Sequence, residues 1–362
     1  MQSGTCPRFT LFSCNSQKLQ EASSWEKLGI IHGNTESSAA EKTWWIDISG
    51  ATEKDVNDVA RSQSIHPLTV EDVTIKEPRQ KIETFPNYYF ISLRTLSIIK
   101  DKGTSEIEEA AHPPTTINPS MLYILVFSHG TITFSTSGSE HASRVRSRIS
   151  RLHDPSVLSS DWICYALIDD VIDSFQPHMQ SASRESESIQ DEIYIARDDD
   201  MTPLMLRIYN IRKSINQLTH SLSGKSDVLN GFVKRCQSKT WHAAFPEGDL
   251  IVYLSDVQDH LVTILGELAH LDEITSRLQS NFLAQTSVNN MRLSVKLNSS
   301  LSKVTVLATI FVPLHMVTGL FGMNVTVPGQ DVESLAWFFG IVGVFIVIAL
   351  TACLVFVRMK LL

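Results

Sequence analysis

Two apolar blocks, Val304 to Phe321 and Leu335 to Val357, stand apart from the rest of the chain because His315 is the one readily ionisable side chain in either. At about 1.5 Å per residue they cover roughly 27 and 35 Å, enough to cross a hydrocarbon core of about 30 Å. The pattern predicts two transmembrane helices, 304–323 and 335–357, joined by an external loop at 324–334 and followed by a short cytosolic tail at 358–362. Upstream, Leu254, Val257, Leu261, Ile264, Leu268, Leu271, Leu278 and Phe282 recur at alternating steps of three and four, with polar Thr275 and Gln285 in the same stripe. This heptad seam predicts a stalk helix over 250–303. No break separates it from the first span, so one helix should run from about Leu250 to Phe321, roughly 100 Å long. A helix of that length needs partners beside it, and self-association around an axis is the simplest source.

The N-terminal part has a different rhythm. Residues 8 to 14, 44 to 48, 87 to 95, 121 to 127 and 131 to 135 read as short β-rich runs separated by helical or turn-rich stretches, which predicts an α/β cytosolic domain over 1–158. Residues 99 to 118, rich in charge, Pro and Thr, read as a surface loop. From Ser160 to about Ala196 the period becomes helical, with Asp169, Asp170, Asp173, Glu185, Glu187, Asp191 and Glu192 expected on exposed positions. A second helix is expected over Thr202 to Leu222, capped by Asp200 or Thr202. The triplet Asp198 to Asp200 suits a charged turn, and 159–249 forms a segment of acidic helices.

Composition sharpens this division. The chain has 362 residues, 43% of them hydrophobic, and a net charge of -8; its mean hydropathy of zero averages an acidic body with an apolar end. Cys6, Cys14, Cys164, Cys236 and Cys353 are odd in number and show no CxxC pairing, as suits reduced cytosolic thiols. Met1 to Ser16 lack the basic and apolar regions of a secretory signal, leaving insertion to the internal spans. Arg292, Lys296 and Lys303 precede the first span, Arg358 and Lys360 follow the second, and the connecting loop has no Lys or Arg. Positive flanks put both termini in the cytosol. No P-loop, phosphorylatable aspartate motif or hydrolase cluster is visible, so neither an enzyme nor ATP-driven transport is expected.

The first span closes on Phe321-Gly322-Met323-Asn324. An aromatic residue before Gly-Met-Asn, at the end of the first of two C-terminal spans, resembles the signature of CorA-type magnesium channels. Trp45-Ile46-Asp47-Ile48, then His66-Pro67-Leu68-Thr69-Val70-Glu71-Asp72, then Arg79-Gln80-Lys81 resemble the cytosolic domain of the same family in order and spacing. Their own chemistry suits helix capping and internal charge pairing better than catalysis. Val325-Thr326-Val327-Pro328-Gly329-Gln330 is similar to the fungal aluminium-resistance branch. The resemblance implies an α+β membrane protein: an N-terminal α/β domain, a helical stalk and two spans per subunit, assembled as a funnel-shaped homopentamer, with hetero-assembly of paralogues left open. It also implies passive movement of Mg²⁺ gated by cytosolic Mg²⁺, no further cofactor and no nucleic-acid partner, in a plasma or vacuolar membrane. A broader transporter of Co²⁺, Ni²⁺ or Zn²⁺, proton-coupled on the same scaffold, and a membrane-anchored scaffold with an inactive pore are the alternatives.

Physical chemistry gives the motif its meaning. Mg²⁺ is small, prefers octahedral oxygen coordination and sheds water reluctantly, so a ring of neutral oxygens can bind it through its waters. The Asn324 amide and carbonyls near Gly322 would serve as acceptors, and glycine permits close approach and unusual dihedrals. Met323, a poor ligand for a hard cation, would pack against a neighbouring helix and hold the turn. Asp331 and Glu333 would concentrate cations at the mouth. Asn324-Val325-Thr326 also fits a glycosylation sequon, but a glycan there would obstruct the mouth. Asn298, Leu301, Val304, Ala308, Val312, His315 and Gly319 fall roughly on one helical face, which by resemblance lines the pore; its apolar members suit helix packing equally well. His315 departs from the family pattern. Histidine changes charge near neutral pH, and a ring of imidazolium groups would repel Mg²⁺. By resemblance, Asp256, in Ser255-Asp256-Val257-Gln258-Asp259-His260, matches one ligand of a regulatory metal.

Overall fold

The computed structural model describes residues 9–13, 18–28, 43–98, 117–135, 140–151, 158–195, 201–237, 249–323, 325–329 and 335–358. Two compact units emerge, Met1–Ile195 with Thr202–Gln279 and Ala196–Met201 with Ser280–Leu362.

The first unit is built on seven strands, β1 (Phe9–Ser13), β2 (Lys18–Ala22), β3 (Trp44–Ser49), β4 (Lys81–Thr84), β5 (Tyr88–Ile98), β6 (Ile117–Phe127) and β7 (Gly130–Ser135). Their order is β2-β1-β3-β7-β6-β5-β4. Neighbours are antiparallel except β3 and β7, which run parallel with Trp45 opposite Thr131 and Asp47 opposite Thr133. A parallel pair needs a crossover, and here the connection carries α1 (Glu53–Gln63) and α2 (Pro67–Ile75). Ile46, Ile48, Phe90, Leu125, Ile132 and Phe134 form one sheet face, covered by Val56, Val59 and Val73 of these helices. Alternation sends Trp45, Asp47 and Thr133 to the opposite face, under α3 (Glu140–Ile149) and α4 (Ser160–Asp173).

β2 and β4 were not apparent in the hydrophobic pattern. Both are edge strands, and their sequences, KLQEA and KIET, carry the charge that keeps an exposed edge from pairing further. The expected loop at 99–118 also runs too far, since Ile117 and Asn118 already belong to β6; residues 99–116 lie outside the described residues.

The helical stretch after Ser160 is two helices rather than one. α4 ends at Asp173, and α5 (Gln176–Ile195) begins after a turn at Ser174 and Phe175. Nor are its acidic residues uniformly exposed. Asp169 is buried and paired with Arg148, while Asp170 is largely covered by His141, at 2.7 Å, and Arg144. α6 (Met201–Leu222) starts one residue before Thr202, so Thr202 is not its cap; Asp198 to Asp200 lie outside the described residues. α7 (Lys225–Gln237) follows after Ser223 and Gly224.

α8 (Asp249–Phe321) is a single helix of 73 residues, roughly 110 Å of rise. The partners its seam needs from Leu254 to Leu278 are supplied within the chain. Leu254, Val257, Leu261, Ile264, Leu268, Leu271, Thr275 and Leu278 are all buried in the single chain. Tyr253 lies 5.4 Å from Tyr165 of α4, and Gln279 accepts a hydrogen bond from Arg212 of α6 at 2.6 Å. The apolar stripe of α6, Leu204, Ile208, Ile211, Ile215 and Leu218, is buried in the same unit. Three-four periodicity marks any helix packed along its length, whether the neighbour comes from another chain or the same one.

The second unit holds Ser280–Phe321 of α8 together with α9 (Ala336–Arg358). Most of its large apolar side chains are exposed in the single chain, among them Phe311, Leu320, Phe338, Phe339 and Leu350. Such a surface belongs in lipid or against further copies.

Candidate functional site

α8 is long and apolar enough to cross a membrane, with a window of mean hydropathy 1.9. Along its span, Ser302, Val306, Ile310, Leu314 and Val317 are the covered or partly covered positions. Val317 and Phe321 share an apolar cleft with Trp337, Ile341 and Val344 of α9, so this stripe is the one turned toward the second helix. The opposite stripe is bare. Asn298, Leu301, Val304, Ala308, Val312, His315 and Gly319 are all exposed, with Leu301 at 63% and Val312 at 64% against 7% for Val306. Pro313 sits inside the helix; having no N–H, it leaves the Thr309 carbonyl without its usual donor.

The helix tightens as it closes. The Gly322 N–H donates to the Thr318 carbonyl at 3.0 Å and the Gly319 carbonyl at 3.2 Å, and the Met323 N–H reaches the Leu320 carbonyl at 3.4 Å. Gly322 keeps an ordinary negative φ, and an added Cβ would meet Thr318 O only at 3.4 Å, so the expected unusual dihedral is absent. Gly322 directly follows the last helical residue and its N–H still bonds back in the helical manner, so it has no need of one. Met323 is exposed. Asn324, Asp331 and Glu333 lie outside the described residues. Just beyond the span, Gly329 does have a strict requirement, at φ +96, where a Cβ would lie 2.7 Å from the Trp337 ring.

A second cluster forms in the first unit. Asp169, Asp173 and His260 place one ligand atom each within 4.8 Å of one another. His260 Nδ1 is 3.6 Å from Asp173 Oδ1, and its Nε2 is 4.0 Å from Oδ1 of Asp256, one turn earlier on α8. Burial, followed by the nearby Asp169 charge, raises the Asp173 carboxyl above its ordinary value, while His260 pulls it back. Carboxylates held this close repel, and a dication relieves the repulsion. The oxygens of Asp173 and Asp256 suit hydrated Mg²⁺, whereas an imidazole suits Zn²⁺, Co²⁺ or Ni²⁺ better. Sequence reading singled out Asp256 but not Asp173 or His260. The available signal was the pair of i,i+4 spacings, Asp169–Asp173 and Asp256–His260, which set each pair on one helical face.

Residues 40–358 match the family described as CorA-like Mg2+ transporter protein. The chain belongs to this family. It is 36% identical to the magnesium transporter ALR2 of Saccharomyces cerevisiae over 94% of its own length and 43% of that protein. It is 25% identical to the cobalt/magnesium transport protein CorA of Thermotoga maritima, over 87% of this chain and 82% of that one. The solved structure of the CorA magnesium transporter from Methanocaldococcus jannaschii superposes with a TM-score of 0.63 at 16% identity, covering 98% of both chains, a likeness of fold. The chain spans less than half the length of its fungal relatives.

In this CorA-like frame the upstream family residues build the fold. The Trp45 indole N–H donates to Thr133 Oγ1 at 3.1 Å, Thr133 donates to Asp47 Oδ1 at 2.7 Å, and Arg146 donates to Asp47 Oδ2 at 3.2 Å. His66 caps α2, its Nδ1 accepting from the Leu68 N–H at 3.2 Å, with Pro67 in the first turn. Asp72 pairs with Lys81 at 2.8 Å.

Proposed function

We propose that this CorA-like chain is one subunit of a homopentameric channel that passes hydrated Mg²⁺ passively down its electrochemical gradient, and that cytosolic Mg²⁺ favours closure. The observation that carries the reading is the bare stripe from Asn298 to Gly319, opposite the stripe that α9 covers and leading to Gly322-Met323. A stripe that mixes Asn298 and His315 with Leu301, Val304 and Val312 suits water on one side and neighbouring copies on the other better than lipid. Five such stripes around an axis give a narrow path whose apolar rings gate by dewetting. At its outer end, Asn324 amide and nearby backbone oxygens accept hydrogen bonds from the waters of Mg²⁺, with Asp331 and Glu333 drawing cations to the mouth. Asp256, Asp173 and His260 form the regulatory site, where ion occupancy biases the pore toward its closed population. Arg292, Lys296, Lys303 and Arg358 set both termini on the cytosolic side of the membrane.

A second reading, broader transport of Co²⁺, Ni²⁺ or Zn²⁺ with proton coupling, is favoured by the imidazoles at His260 and His315. Flux into liposomes separates the two. Mg²⁺ influx that follows an imposed voltage and ignores a pH gradient supports the channel; Zn²⁺ influx that requires the pH gradient rejects it.

A further inference from the structure

Within the first unit, a cavity of about 460 Å³ lies between the β4–β5 edge of the sheet and the turn from α6 into α7. Its lining carries Arg79, Lys81, Arg94 and His220, with Asp227 the one carboxylate among the described lining residues. Lys81 is already neutralised by Asp72 at 2.8 Å and Glu83 at 2.9 Å. The two arginines are not. Arg79 is exposed, and among the described residues its guanidinium has no hydrogen-bond or ion-pair partner. Arg94 spends one N–H on the Pro78 carbonyl, at 3.1 Å, and among the described residues the rest of its fork has no partner.

Behind this wall lies Lys225, which is fully buried. Its Nζ donates to Gln80 Oε1 at 2.7 Å and to the Arg94 carbonyl, and sits 5.3 Å from the Phe175 ring. Gln80 and Arg94 both line the cavity, so Lys225 is one residue removed from it. Every acceptor around Lys225 is neutral, and among the described residues no carboxylate pairs with it. Burial without a charged partner, with the Arg94 charge nearby, pushes the Lys225 amine well below its ordinary value, so the field over this space comes from the two under-used guanidinium groups.

We propose that this cavity binds a phosphate-bearing small molecule, its oxyanion held between Arg79 and Arg94. Guanidinium forks match the paired oxygens of phosphate, and the volume exceeds what a bare oxyanion needs, leaving room for an attached group. Because sheet edge, α6 and α7 all contribute, a bound anion would tie the α7 helix to the sheet.

Isothermal titration of the full chain in detergent, with a chelator present to keep divalent ions away, tests this with two probes, inorganic phosphate and ATP. Saturable binding of either, weakened about tenfold in Arg79→Gln while the melting temperature of the ligand-free protein stays unchanged, is the expected result. Tighter binding of ATP identifies a nucleotide, and equal binding identifies phosphate itself. The absence of binding by both probes up to about 1 mM, or binding that Arg79→Gln leaves at wild-type strength, overturns the proposal.

Discussion

His260 of the long helix and Asp173 of α4 meet side by side, Nδ1 to Oδ1 at 3.6 Å, with Asp256 on the far side of the imidazole. One contact thus links the helix proposed to line the ion path to a helix packed on the sheet. If this cluster holds the regulatory ion, Asp173→Asn removes a charged oxygen ligand without changing the shape of the side chain. The expected outcome is that about tenfold more Mg²⁺ on the cytosolic face is needed to halve influx, with maximal influx unchanged. The check is a liposome assay in which the internal Mg²⁺ concentration is varied.

Arg146 and Asp47 form the counterpart inside the sheet domain. Burial raises the Asp47 carboxyl, and hydrogen bonds from Thr133 and Arg146 pull it back. A carboxyl whose folded-state value is raised binds its proton more tightly in the fold than in the unfolded chain. Its contribution to stability is therefore present at low pH and is lost as pH rises through the folded value. Arg146→Ala raises that value further and leaves a buried carboxylate without its cation. The expected cost is about 3–5 kcal/mol near neutral pH and clearly less near pH 4. Trp45, 5.5 Å beneath the guanidinium, provides a fluorescence signal for the unfolding curves at the two pH values.

His315 is an exposed member of the bare stripe. Imidazolium groups ringing a path for a dication repel it, so acidification should lower Mg²⁺ conductance. In His315→Thr that response should vanish. Currents recorded from pH 7.5 to 5.5 decide the matter, and an unchanged pH response in the mutant places the titrating group elsewhere.

Much of this architecture was legible in the sequence because its strongest signals are long and periodic. The central strands β3, β5, β6 and β7 are dense in β-branched and aromatic residues, and the span of α8 is a single apolar block. What periodicity cannot supply is the identity of the neighbour. The seam from Leu254 to Leu278 reads the same whether α6 or another copy covers it. The polar edge strands carry no apolar alternation and passed unseen. Asp173 and His260 are 87 residues apart in the numbering, so only the packing of α4 on α8 joins them. Asp169 looked like a solvent-facing acid because its partner, Arg148, sits on a different helix.

Whether Asn324 recognises the hydrated ion is decided by Mg²⁺ influx into liposomes reconstituted with Asn324→Ala, compared with wild type at equal protein incorporation. The side-chain amide of Asn324 is the neutral oxygen assigned to the waters of the ion, and alanine deletes it while preserving the span. Influx should fall at least about tenfold, the equivalent of roughly 1.4 kcal/mol of lost ion recognition. Influx equal to wild type would contradict the account.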